Sequence, residues 1–99
     1  MLYRWDIQTI IETEQDKWNC ENWRYRILIR KSRDFIHGDF LHFNLWKKGN
    51  SFERAYFVHE FIYKLDDSRS NDERIEFIRE CLNGILAYSK IVIPDTLNQ

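Results

Sequence analysis

The spacing of apolar residues changes partway along the chain, and that change constrains the fold more than any single motif. In the first two thirds, apolar side chains tend to alternate with polar ones, the period of a half-buried strand. From Ile75 onward they recur at helical intervals: Ile75, Ile78, Leu82, Ile85 and Leu86, with Phe77, Cys81 and Tyr88 widening the stripe. A chain patterned this way is expected to build a sheet first and a helix last.

The clearest alternation is Trp23-Arg24-Tyr25-Arg26-Ile27-Leu28-Ile29-Arg30, which places Trp23, Tyr25, Ile27 and Ile29 inward and the arginines outward. Residues 3–11 alternate less cleanly. Tyr3, Trp5, Ile7, Thr9 and Ile11 share one side, Ile10 breaks the pattern, and a helix over residues 5–13 is the competing reading. Residues 13–22 are polar and read as a connection. His37-Gly38-Asp39 supplies a hairpin turn, because Gly tolerates the positive φ such turns need. Residues 40–46 form a third strand, Lys47-Lys48-Gly49-Asn50 a second turn, and residues 52–65 a fourth strand rich in aromatic and β-branched side chains.

Asp66 to Arg69 is a loop, and Ser70 followed by Glu73 is a capping box that opens the helix. Gly84 either weakens that helix or ends it early. Ile91-Val92-Ile93, before Pro94, is a short fifth strand or a tail on the core. The expected fold class is therefore α+β: an antiparallel sheet of about four strands followed by one C-terminal amphipathic helix packed on one face. Residues 1–99 are the size of a single domain, and with sixteen Trp, Tyr and Phe against three Gly and one Pro the chain favours regular elements around a core. One helix covers part of a four-stranded sheet, so aromatics on the second face call for another cover, a dimer partner or a binding target.

Net charge is −1, which gives no global pull toward nucleic acid or a membrane. Locally the charges segregate. Asp6, Glu12, Glu14, Asp16 and Glu21 face one Lys17, and then Arg24, Arg26, Arg30, Lys31 and Arg33 follow with no acid among them. The N-terminal sequence lacks a secretory pattern and no apolar window is long enough to span a bilayer, so a cytoplasmic protein without membrane partners is expected. Cys20 and Cys81, far apart and outside any CxxC pair, are expected to be reduced thiols, with a single disulfide between them as the alternative.

Catalytic chemistry finds little support. His42 and His59 would be neighbours if the third and fourth strands paired through the Gly49 turn, but metal ligation needs further ligands at spacings such as HExxH, which are missing. The same pair could serve metal-independent acid–base cleavage, which needs the same proximity and has as little support. Cys81 belongs to the buried helix stripe, and Cys20 sits among acids that disfavour a thiolate. With no phosphate loop, GxSxG elbow or paired carboxylates, no enzyme, metal or cofactor is expected.

Two surfaces remain. Trp23, Arg24, Arg26, Arg30, Lys31, Arg33 and Trp46 combine cations with rings, which suits single-stranded nucleic acid: charge for phosphates, rings for stacked bases. In element order alone, with no shared residue motif, strands followed by a helix are similar to Pur-type repeats, which bind single strands. The competing account pairs these arginines with Asp6, Glu12 and Glu14 across a hairpin. The second surface is acidic: Asp66, Asp67, Asp72, Glu76 and Glu80, of which the last three share one helical line. The leading expectation is a non-enzymatic protein-interaction module, in its most concrete form a small inhibitor or immunity or anti-defence-type protein that uses the acidic stripe against a basic toxin or nuclease. A single-stranded nucleic-acid binder is the alternative.

Overall fold

The N-terminal segment is a helix, not a strand. In the computed structural model, which describes residues 4–49, 54–66 and 69–92, α1 (Arg4–Glu21) absorbs both the expected first strand and the polar connection after it. Ile7, Ile11, Glu14 and Trp18 are all buried, and their spacing draws one stripe along the helix. Thr9, which completed the apparent alternation, faces solvent, while Ile10, which broke it, packs against the core. No Gly or Pro interrupts this stretch, and its Glu, Gln and Lys residues are good helix formers.

Three strands follow: β1 (Tyr25–Asp34), β2 (Gly38–Lys47) and β3 (Tyr56–Leu65). They pair antiparallel in the order β1-β2-β3. The sheet thus has three strands where four were expected. The last begins at Tyr56, later than residue 52, which lies outside the described residues. Trp23 is not inward. It sits in the turn before β1 and is 67% exposed. The β1–β2 hairpin closes as anticipated on Gly38, at φ 95°.

α2 (Asn71–Val92) completes the chain. Its capping box is formed: the Ser70 Oγ accepts from the Glu73 N–H at 3.3 Å, and the Glu73 carboxylate accepts from the Ser70 N–H at 3.3 Å. Gly84 lies inside the helix on its exposed side and does not end it. Ile91 and Val92 continue the helix, so no fifth strand forms from them, and Ile93 is outside the described residues.

Ile27, Ile29, Leu41, Phe43 and Leu45 from the sheet join Ile7, Ile11 and Trp18 of α1 and Ile78, Leu82 and Ile85 of α2 in one buried cluster. Both helices therefore lie on the same face, giving two layers rather than a sheet with a single helix. The added N-terminal helix and the missing strand also remove the likeness in element order to Pur-type repeats. Buried Glu14 accepts two hydrogen bonds from Arg79, at 3.1 and 3.0 Å, and ties α1 to α2. Burial sets Glu14 on the helix pair, so it does not neutralise the arginines of β1. Glu12 accepts from Gln8 on the solvent side of α1, and the Asp6 side chain lies outside the described set.

Candidate binding face

Side chains alternate across a strand, so burying one face of this sheet turns the other to solvent. Cross-strand neighbours on the open face form short rows: Arg26, Trp46 and Phe57; Leu28, Asn44 and Glu60; Arg30, His42 and Ile62; Ser32, Phe40 and Lys64. A register irregularity at Leu45/Trp46 inserts one residue into β3, which keeps Phe57 beside Trp46. Their rings meet edge to face, with centroids 5.4 Å apart. Among the described residues no element lies over these rows, and Leu28, Phe57 and Ile62 remain 38%, 49% and 54% exposed.

Polar groups knit the centre of the face. The Ser32 hydroxyl and His42 Nε2 are 2.6 Å apart, the Glu60 carboxylate lies 3.8 Å from His42 Nδ1, and Arg30 approaches Glu60 at 3.6 Å. Hydroxyl, imidazole and carboxylate stand here in the order of a nucleophile relay. The 3.8 Å separation is too long for the hydrogen bond that would orient the base, and the Ser32 N–H belongs to the ladder with β2, so it cannot stabilise an oxyanion. Two buried nitrogens of the face, His42 Nδ1 and Trp46 Nε1, make no hydrogen bond.

The face continues into the β1–β2 turn. Asp34 accepts from the backbone N–H groups of Ile36 and His37, at 2.7 and 3.2 Å, and its carboxylate also meets the His37 ring at 3.1 Å. These contacts, His37 foremost, hold the Asp34 carboxyl below its ordinary range. They order a turn on which Phe35 is fully exposed and Ile36 is 86% exposed. Composition gives no warning of this pair, although two large apolar residues between Asp34 and Gly38 are visible in the sequence.

The basic run is divided by the pleat. Arg26 and Arg30 belong to the open side, whereas Arg24, just before β1, stacks 5.1 Å over the ring of Trp23 and lines a cleft with Leu86 and Lys90 of α2. Lys31 and Arg33 converge instead on buried Asp39, at 3.3 and 2.8 Å. The acidic residues are divided: three lie on α2, across the helix layer from the open face, while Asp66 lines a cleft with Phe35, Ile36 and Lys64 at the hairpin end. Asp72, Glu76 and Glu80 occupy the exposed line of α2, Asp66 is 3.8 Å from Arg69, and Asp67 is outside the described residues.

His42 and His59 are not brought together. His42 pairs with Ile62 on the open face, whereas His59 pairs with Leu45 and turns toward the helices, 5.8 Å from the ring of Tyr88. Cys20 and Cys81 are both free thiols. Burial, then the charge of Glu80, pushes the Cys81 thiol up to about 11, far from a nucleophilic thiolate. Among the described residues, no group of three His, Cys, Asp or Glu side chains gathers to hold a metal, and no helix is long and apolar enough to cross a membrane. In comparisons with known proteins, no family model, curated protein or solved structure matches the chain.

Proposed function

We propose that the protein is a non-enzymatic interaction module that binds a protein partner through the open sheet face and its hairpin tip. The observation that carries this reading is the ordered turn presenting Phe35 and Ile36, continuous with a face that keeps Leu28, Phe57 and Ile62 exposed. Large apolar side chains on a rigid backbone are the anchors that dominate protein interfaces, and surrounding charges set orientation. An inhibitor or immunity-type protein, which occludes a partner's active surface, is the most concrete form. The charges in the open-face rows are mainly basic (Arg26, Arg30 and Lys64 against Glu60), which fits an acidic partner surface. A basic partner would have to dock on the opposite side, along α2.

Affinity capture from the native cell tests this reading. A stoichiometric protein should co-purify with the wild type and drop at least tenfold with Phe35→Ser/Ile36→Ser or Phe57→Lys, both variants remaining folded by circular dichroism. Capture of no protein, or undiminished capture by both variants, would falsify it.

A second reading, single-stranded nucleic-acid binding, is favoured by Arg26, Arg30 and Lys64 sharing one uncovered face with Trp46 and Phe57. It is weakened because Lys31 and Arg33 serve Asp39, Arg30 meets Glu60, and Trp46 and Phe57 pack on each other. Salt-dependent oligonucleotide binding that disappears in Arg26→Glu/Arg30→Glu would establish it; no binding at low salt would end it.

A further inference from the structure

The two edges of the sheet are treated differently. In an antiparallel ladder, alternate residues turn their N–H and C=O groups outward. Along β1 these are the odd-numbered residues, and α1 occupies those of Ile27 and Ile29 with side chains. Asn19 Oδ1 accepts from the Ile27 N–H at 2.7 Å, Asn19 Nδ2 donates to the Ile27 carbonyl at 3.0 Å, and Gln15 Oε1 accepts from the Ile29 N–H at 2.8 Å. The first half of this edge, closed in this way, cannot add a strand.

β3 carries no such closure. Since odd residues of β1 face outward, its even residues bond to β2, the odd residues of β2 bond to β3, and Phe61 and Tyr63 pair inward with Phe43 and Leu41. Glu60, Ile62 and Lys64 are left with outward N–H and C=O groups, and no hydrogen bond from these groups to a described residue is formed. The half-exposed Ile62 lies at the middle of that edge.

We propose that the β3 edge pairs antiparallel with the β3 edge of a second copy of this chain, joining two sheets into one about a two-fold axis at Ile62. The outward residues select the register. Centring the axis on Glu60 or on Lys64 sets like charges opposite each other. Placing it between Ile62 and Lys64 sets Glu60 against Asp66, and placing it between Glu60 and Ile62 sets a carboxylate against an apolar side chain. With Ile62 on the axis, Ile62 meets its own copy, each Glu60 faces a Lys64, and Phe61 faces Tyr63 on the helix side. Each directly opposed outward pair exchanges two backbone hydrogen bonds. The interface is self-complementary, as two-fold symmetry requires, and it lengthens the open face without covering it. It therefore stands or falls independently of the partner proposed above.

Sedimentation across a range of protein concentrations tests the pairing. Wild type should be dimeric, while Glu60→Lys and Lys64→Glu should each dissociate at least tenfold more readily, because each sets like charges face to face. Mixing the two single variants should restore a dimer. In the mixed pair, one edge carries only basic side chains at these two positions and the other only acidic ones, so opposite charges meet again. Restoration also shows that both variants are folded. A wild type that is monomeric at every concentration, or single variants that dimerise as well as wild type, would overturn the proposal.

Discussion

The two faces of one three-stranded sheet have opposite fates although the same strands supply both. Along β2, Leu41, Phe43 and Leu45 are completely buried, while Phe40, His42, Asn44 and Trp46, interleaved with them, are half-buried by neighbours on their own face. Aromatic content does not separate the two sets. What separates them is the helix layer, which covers the odd-numbered side and leaves the even-numbered side to solvent. An aromatic residue in a strand therefore reports that a surface is apolar, and what covers that surface has to be learned elsewhere.

Truncating one ring from each face should sharpen the contrast most. Phe43→Ala removes a fully buried side chain and should cost about 3–5 kcal/mol by urea denaturation. Phe57→Ala, on the half-exposed side, should cost under about 1 kcal/mol. Equal losses would mean that the open face is covered in solution by something that contributes to stability.

Loosening the helix layer itself should give an intermediate effect. Arg79→Ala leaves Glu14 buried without its two charge-assisted bonds. It should destabilise the fold by more than Phe57→Ala and by less than Phe43→Ala, because Arg79 itself reaches solvent and screening weakens the pair. A Glu14→Gln/Arg79→Met double variant should recover part of that loss in the same denaturation assay, since it removes the stranded charge. No recovery would show that the cost lies in lost packing rather than in the isolated carboxylate.

The smallest change runs the other way. Gly84 lies in the interior of α2, and a Cβ there would meet nothing within 4 Å. Gly84→Ala should raise stability by about 0.5–1 kcal/mol, seen as a higher melting temperature with an unchanged open face. A decrease would show that the outer side of α2 is packed against something in solution.

Part of the open face is legible in the sequence, its apolar anchors Phe35, Ile36 and Phe57 are not, and the rest fails for identifiable reasons. Alternation alone marks Arg24, Arg26, Arg30 and Trp46 as one surface, and the pleat does place Arg26, Arg30 and Trp46 together. Proximity in sequence groups Lys31 and Arg33 with them, but the pleat turns these two away and Asp39 holds them. The N-terminal helix is hard to see because Ile7, Thr9 and Ile11 fit a period of two over a short window. Glu14, a charged residue in the buried stripe, hides the helical period.

By itself, the sequence determined features that depend on a few neighbouring residues: the alternation of β1 and β2, the Gly38 turn, the Ser70–Glu73 cap and the apolar stripe of α2. Each rests on local backbone geometry and short-range hydrogen bonds, which are written in adjacent side chains. Only the tertiary structure decided which face of the sheet is covered, which edge α1 closes and where buried Glu14 finds its cation. Arg79 is 65 residues away in the chain, and a partner at that distance is selected by how the two helices pack, which no local pattern specifies.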